Sequence, residues 1–118
     1  MKKFLAVYIG TPAALERSQW NTLGGPERKE REKQGIQAWM AWADANPNAI
    51  VDMGAPLGKT KQVSPDGTAD IKNTMVGYTV IEGESHEAVA KLFEEHPHFT
   101  IFPGDSVEIM ECLPMPGL

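Results

Sequence analysis

The chain has 118 residues, with 16 acidic and 11 basic side chains and a formal net charge of −5. This length predicts a single domain over residues 1–118, able to bury about two thirds of its unfolded surface without metal or disulfide support. An acidic surface repels phosphate backbones, which argues against nucleic-acid binding. The one cysteine, Cys112, excludes an internal disulfide, and its place in an apolar strand predicts a buried, inert thiol.

The N-terminus carries Lys2, Lys3 and a short apolar run that ends at Gly10. A run of about seven residues is too short for a signal-peptide core or a membrane span. We therefore predict a cytoplasmic protein with no membrane partner.

The first three predicted elements are a strand, a short helix and a long helix. Residues 4–9 are apolar and β-favouring, which predicts the strand. Thr11 and Pro12 offer an N-cap and a first helical position, so residues 13–20 are predicted to form the short helix. The long helix spans residues 26–46, and its alternating charges indicate a solvated face. Its apolar stripe consists of Ile36, Trp39, Met40 and Ala43.

The middle of the chain is predicted to leave the sheet as an extended hairpin. Residues 50–53 form a second strand, which glycines and a proline interrupt over residues 54–58. Residues 64–67, with the sequence Ser-Pro-Asp-Gly, are typical of a tight turn. The Gly-Lys-Thr sequence at residues 58–60 does not indicate a nucleotide-binding loop, because the preceding glycine lies too near and no helix is predicted to follow.

The last third of the chain is predicted to contain two strands on either side of a helix. Residues 74–82 form the third strand, in which Gly77 indicates a bulge or a close backbone approach. Ser85 caps a helix that Pro97 ends, and residues 107–113 form the fourth strand. The apolar face of this helix consists of Val89, Leu92, Phe93 and His96.

The predicted order βαββαβ is that of a ferredoxin-like α+β domain, whose four-stranded antiparallel sheet has helices on one face. Strands this apolar would leave a large exposed patch on the other face of the sheet. Sheet-to-sheet pairing of two copies would cover that patch and create a cavity for a ligand. The sequence therefore predicts a homodimer.

Four segments of the chain resemble the YCII-related proteins. They are residues 54–58 (GAPLG), residues 77–82 (GYTVIE), residues 85–88 (SHEA) and the His-Pro pair at residues 96–97. The resemblance covers nearly the whole chain. It implies a ferredoxin-like fold that pairs into a dimeric α/β barrel, as in muconolactone isomerases and small antibiotic-biosynthesis monooxygenases. Most members of the family have no assigned reaction.

A catalytic pair proposed for some members of that family does not match this chain. The pair consists of a histidine on the first long helix and an aspartate just before the proline that ends the second helix. The long helix here has no histidine and carries Gln37, Ala38 and Trp39 in the expected region. The residue before Pro97 is His96. The resemblance therefore implies the fold and the dimer rather than this pair.

His96, His98 and Asp105 are the first candidate catalytic residues. Two imidazoles and a carboxylate could act as general acid or base, or could bind a divalent metal. The structural alternative for His96 is its place on the apolar helix face, close to the helix C-terminus. No metal site is assigned, and His86, in the first turn of its helix, is predicted to lie at the surface.

Four further residues are candidates for a ligand site or an interface. Asp52 interrupts an apolar strand, so burial would suit it to proton transfer, whereas a position at the strand end would leave it facing water. Tyr78 could orient a small polar ligand. Trp42 points away from the stripe that holds Trp39 and is predicted to line an interface, while Trp39 is assigned to core packing. Lys59 could supply a positive group at a cavity mouth, with solvent exposure as the alternative.

We therefore predict a homodimer that binds a small organic molecule and performs acid–base chemistry without an organic cofactor. Two other functions stay open from the sequence. One is a non-catalytic association module built on the apolar sheet. The other is a cofactor-free monooxygenase or isomerase, which rests on fold analogy alone. A polar pocket would favour the first prediction, and a dry, sealed interface would favour the association module.

Overall fold

Six strands and four α-helices form the part of the chain that this computed structural model describes, residues 1–117. In chain order they are β1 (Lys2–Ile9), α1 (Pro12–Ser18), α2 (Gly25–Ala45), β2 (Ile50–Asp52), β3 (Thr60–Ser64), β4 (Gly67–Ile71), β5 (Met75–Gly83), α3 (His86–Leu92), α4 (Pro97–Thr100) and β6 (Ser106–Glu111). A short 3₁₀ turn at Trp20–Thr22 links α1 to α2. None of the described helices is both long and apolar enough to span a lipid bilayer.

The main sheet has four strands in the order β2-β5-β1-β6, and every neighbouring pair is antiparallel. With α2 between β1 and β2 and α3 between β5 and β6, this is the predicted βαββαβ arrangement. The ferredoxin-like α+β fold is therefore confirmed. Strands β3 and β4 form a separate two-stranded sheet, which is the hairpin predicted between the second and third main strands.

The core lies between the sheet and the helices. Alternation along β1 turns Phe4, Ala6 and Tyr8 toward the helices, where they pack with Ile81, Val89 and Phe93. Phe4 is fully buried, and burial of such a side chain contributes about 1.5–3 kcal/mol to stability. The other face of the sheet carries a row of apolar residues made by Leu5 and its two cross-strand partners, Val80 and Met110.

Gly77 has both of the predicted features. The register between β1 and β5 shifts between Tyr8 and Ile9, where Val76 is the extra residue next to Gly77. A Cβ atom on Gly77 would lie 3.2 Å from Cδ2 of Tyr8 and 3.4 Å from the backbone oxygen of Ala55. The bulge and the close approach therefore occur together, and the bare glycine leaves room for the Tyr8 ring.

The region around His96 differs from the predicted helix. Helix α3 ends at Leu92, and Glu95 has a left-handed φ of 58° that prevents the helix from continuing. His96 is therefore not on the face of α3 but is the N-cap of α4, which has Pro97 at its first position. Proline both forbids continuation of one helix and favours the start of another.

The predicted burial of Cys112 is also wrong. Strand β6 ends at Glu111, and Cys112 is exposed. Because β6 is an edge strand of the main sheet, a residue at its end lies near the rim of the molecule rather than in the core.

Candidate functional site

An open cavity of about 1110 Å³ lies where β1 and β5 meet the C-terminal half of α2. Small-molecule sites in proteins commonly measure about 300–1,000 Å³, so this space is large enough for a small organic molecule. Its wall is mostly apolar and aromatic, and includes Tyr8, Ile36, Trp39, Met40 and Phe102. Its polar members include Thr11, Lys72, Asn73 and His98.

The absence of a side chain at Gly35 helps to position the aromatic wall. The Trp39 ring lies 4.8 Å from the Tyr8 ring and 6.1 Å from the Phe102 ring. Gly35 lies one helical turn before Trp39, and a Cβ atom there would overlap the Phe102 ring. The bare backbone of α2 at Gly35 therefore allows Phe102 to reach the helix and complete the wall.

His98 is a buried histidine of the cavity wall, with 6% of its surface exposed. Its Nε2 lies 2.8 Å from the carbonyl oxygen of Ile9. A carbonyl can only accept a hydrogen bond, so Nε2 carries the proton and Nδ1 is the basic nitrogen of the neutral ring. The main chain therefore holds one tautomer in place.

The surroundings of His98 favour its neutral form. Burial lowers the pKa of the imidazole, while hydrogen bonding to the Ile9 backbone, the negative charge of Asp105 and the Ser106 backbone act in the opposite direction. Burial is the largest of these effects, so His98 is neutral at pH 7. A neutral imidazole is a proton acceptor, which is the form that a general base requires.

His96 is buried beside the cavity rather than in its wall, with 1% of its surface exposed. Its Nδ1 accepts a hydrogen bond from the backbone N–H of His98 at 3.0 Å. The ring lies 4.4 Å from the Trp39 ring and 4.6 Å from the Trp42 ring, nearly perpendicular to both. Its Nε2 is buried without a hydrogen-bond partner among the residues that the structure describes.

This environment makes His96 a neutral capping residue. Burial, helped by repulsion from the neighbouring His98, lowers the pKa of His96 to about 4. The N-cap position requires an acceptor, which aspartate, asparagine or serine usually provides. A histidine with an unprotonated Nδ1 meets the same requirement.

A chain of hydrogen bonds fixes the hydroxyl of Tyr8. Thr79 donates its hydroxyl proton to the Met53 carbonyl at 2.9 Å. The Tyr8 hydroxyl lies 2.8 Å from the Thr79 oxygen and must therefore be the donor of that pair. Burial raises the pKa of Tyr8 to about 12, with the bond to Thr79 opposing the shift, so Tyr8 stays protonated at neutral pH.

Asp105 lies at the surface near His98. Its carboxylate is 3.3 Å from Arg17 and 3.5 Å from the Thr11 hydroxyl. Its backbone N–H donates to the Ile9 carbonyl at 2.9 Å, so the same oxygen accepts hydrogen bonds from the Asp105 N–H and the His98 Nε2–H. His98 and Asp105, both predicted from the sequence, thus bond to the same carbonyl oxygen. His96 lies next to His98, but its Nδ1 is occupied by the cap hydrogen bond.

Asp52 and Tyr78 occupy different environments. Asp52 is exposed, and its carboxylate accepts a hydrogen bond from the Gly54 N–H at 2.8 Å. It therefore shapes the turn after β2, which favours the strand-end alternative. Tyr78 is half-buried and borders the cavity together with Gly54.

Trp42 and Lys59 lie away from the cavity. The Trp42 indole N–H donates to the Leu92 carbonyl at 2.6 Å, and its ring lies 5.0 Å from that of Phe93. Trp42 thus ties α2 to α3, while Trp39, which the sequence assigned to the core, lines the cavity. Lys59 is exposed beyond the cavity lining, and Lys72 borders it instead.

The described residues contain no group of three or more His, Cys, Asp or Glu side chains close enough to hold a metal ion. Each of the two imidazoles in the His-Pro-His sequence has one ring nitrogen that is already hydrogen-bonded to the main chain, at His96 to the His98 N–H and at His98 to the Ile9 carbonyl.

Sequence reasoning missed Tyr8, Trp39 and Phe102 as cavity residues. The alternation of Phe4, Ala6 and Tyr8 was a usable signal, because it places an aromatic hydroxyl on the helix-facing side near the end of the strand. Nothing in the sequence marks Phe102, whose position depends on its contact with Gly35.

Comparisons with known proteins bear on the fold. No protein family matches the chain, and no curated protein matches it in sequence. A similar solved structure is that of 5-chloro-2-hydroxyhydroquinone dehydrochlorinase from Burkholderia phenoliruptrix AC1100, in complex with 2,5-dihydroxybenzoquinone. The alignment covers 92% of this chain and 90% of that chain, with a TM-score of 0.52 and 16% sequence identity. The likeness therefore supports the α+β fold described above.

Proposed function

We propose that the protein binds a small, planar, hydroxylated organic molecule in the cavity, with His98 as the proton acceptor. The observation that carries this proposal is a buried, neutral imidazole in the cavity wall, held in one tautomer by the Ile9 carbonyl. In this proposal the unprotonated Nδ1 of His98 accepts a hydrogen bond from the ligand, and the apolar surroundings strengthen that bond.

The shape of the ligand follows from the wall. The rings of Tyr8, Trp39 and Phe102 offer flat apolar surfaces, which favour stacking or edge contacts with another ring. Few polar groups line the cavity, so a ligand with one or two hydroxyl groups fits better than a highly charged one. The similar dehydrochlorinase holds a dihydroxylated ring, which makes such rings the first compounds to test.

Acid–base chemistry would use a single proton transfer. The ligand hydroxyl proton moves to Nδ1 of His98, the O–H bond breaks, and the resulting imidazolium keeps Nε2–H on the Ile9 carbonyl. Asp105 carries the charge nearby that favours the imidazolium. Tyr8 remains protonated and serves as part of the wall.

We also propose that the chain is a distant YCII-related protein that acts as a homodimer. The apolar row of Leu5, Val80 and Met110 faces away from the helices, and Val51 on β2 is 47% exposed beside it. Two such faces packed together would remove this surface from water. The fold class that the chain shares with dimeric α/β barrels supports the same arrangement.

Substitution of His98 by glutamine is expected to weaken binding of a hydroxylated ring by about 10-fold, because glutamine can keep an N–H on the Ile9 carbonyl but places no acceptor at the position of Nδ1. Isothermal titration with 2,5-dihydroxybenzoquinone and catechol would measure this. His86→Gln is the matched control, since His86 is exposed and lies outside the cavity lining. Absence of binding by every such ring to the unmodified protein, or equal affinities of the two variants, would contradict the proposal.

Gly104→Ala is expected to lower the same affinity by about 10-fold with little loss of helix or sheet. A Cβ atom at Gly104 would overlap both the imidazole and the backbone carbonyl oxygen of His98, so the ring must move away from the Ile9 carbonyl and the turn after α4 must shift with it. Gly25→Ala is the control, because a Cβ atom at Gly25 meets nothing within 4 Å. Titration and circular dichroism on both variants would separate a displaced base from a general loss of folding.

A further inference from the structure

The β3–β4 hairpin, residues 60–71, projects from the rest of the chain and is called the arm here. Only Thr60 among the strand residues of the arm is even half-buried. The radius of gyration of the described chain is 16.3 Å, whereas a compact chain of this length has about 13.5 Å. The arm therefore lies outside the packed body.

An arm of this kind has little support of its own. A two-stranded hairpin is marginally stable in water unless a third layer packs on it. The pairing is nevertheless complete from Thr60 opposite Ile71 to Ser64 opposite Gly67. Its ion pair, Lys61 with Asp70 at 2.7 Å, is highly exposed and contributes little.

The surface of the arm holds an apolar side chain that nothing in the described chain covers. Val63 is 78% exposed on the face that it shares with Lys61, Thr68 and Asp70. Burial of such a side chain against a second surface would stabilise the arm, because it removes apolar area from water. No described residue of the chain covers Val63, so a second surface would have to come from another molecule.

We propose that the arm of each protomer packs, through its Val63 face, on the second copy of the chain. This inference rests on the homodimer proposed above, and it adds a second contact between the two copies. A second copy is the occupant favoured here because the sheet faces alone provide too little contact area.

The number of residues available for the interface follows from the strand lengths. The strands β1, β5, β2 and β6 contain 8, 9, 3 and 6 residues, and alternation places about half of them, roughly 13, on the face away from the helices. A standard interface uses about 20–30 residues on each partner. One face of the arm carries about five residues, and each protomer both contributes one arm and receives another. The two arms therefore bring each side to about the size of a standard interface.

Sedimentation equilibrium of the full chain would test the proposal with a pair of arm variants. Val63→Asp places a charge in the proposed contact and should raise the dimer Kd by about 30-fold or more. Gln62→Asp makes a similar change on the opposite face of the same strand and should leave the Kd within about 3-fold, as expected for a solvated surface charge. Met110→Lys, on the open sheet face, should also dissociate the dimer.

The outcomes separate the two proposals. A monomeric unmodified protein at all concentrations would overturn the homodimer and the arm contact together. A dimer that is broken by Met110→Lys but equally unaffected by Val63→Asp and Gln62→Asp would overturn the arm contact alone. Hydrogen exchange on the unmodified protein gives an independent check, since arm amides should become protected as the concentration rises through the dimer Kd. Arm amides that exchange rapidly in the dimer would also overturn the contact.

Discussion

Replacement of Gly54 by alanine is expected to destabilise the protein by about 3 kcal/mol or more. Gly54 has a φ of +72°, a conformation that is unfavourable for any residue with a Cβ atom. A Cβ atom there would also overlap the carbonyl oxygen and carbonyl carbon of Tyr78, which are backbone atoms of the central strand β5. Relief of that overlap requires the turn after β2 to separate from β5.

Urea unfolding followed by tryptophan fluorescence would measure this effect. Gly58→Ala is the matched control, because it lies four residues further along the same segment and its Cβ atom would meet open space. The control should change the free energy of unfolding by less than about 0.5 kcal/mol. Equal stabilities of the two variants would show that the turn and β5 are not in contact as described.

Acidification from pH 6.5 to pH 4 is expected to cost about 3 kcal/mol of stability through His96 alone. The pKa of His96 is lowered to about 4 in the folded protein, chiefly by burial, whereas an unfolded histidine has a pKa of about 6.5. Within this window the unfolded chain binds a proton that the folded chain does not. Stability is therefore complete above pH 6.5 and decreases as the pH falls through the window.

The variant His96→Asn isolates this contribution. Asparagine can accept the hydrogen bond from the His98 N–H, so the N-cap is preserved while the titrating group is removed. Carboxylates titrate equally in both proteins and cancel in the comparison. The free energy of unfolding should fall less steeply in the variant between pH 6.5 and pH 4, and parallel curves would contradict the assigned burial. His98, whose pKa is also lowered, contributes in the same direction in both proteins.

The fold was predictable because its signals are local and repeated. Apolar alternation, a capped helix at Ser85 and a turn sequence at residues 64–67 each indicate one element. Their order then leaves few ways to build one sheet. Element ends were harder to predict, since the left-handed φ of Glu95 separates α3 from α4 without a glycine to mark it.

The candidate site was harder to predict than the fold, because it depends on which side of α2 faces the main sheet. Trp39 and Trp42 are three residues apart on α2, and helical geometry shows that they point in different directions. The sequence alone does not say which direction meets the sheet. In the structure Trp42 contacts Leu92 and Phe93, and Trp39 lies beside Tyr8.

The Ile9 carbonyl, which receives both the His98 Nε2–H and the Asp105 N–H, has a consequence for how the site can change. The acceptor that selects the tautomer of His98 belongs to the main chain of a central strand, so no side-chain substitution at position 9 can remove it. The residues that form the wall, such as Ile36 and Met40, belong to a different element. Under the proposed function, ligand preference would change through substitutions in α2 while Nε2 of His98 stayed protonated.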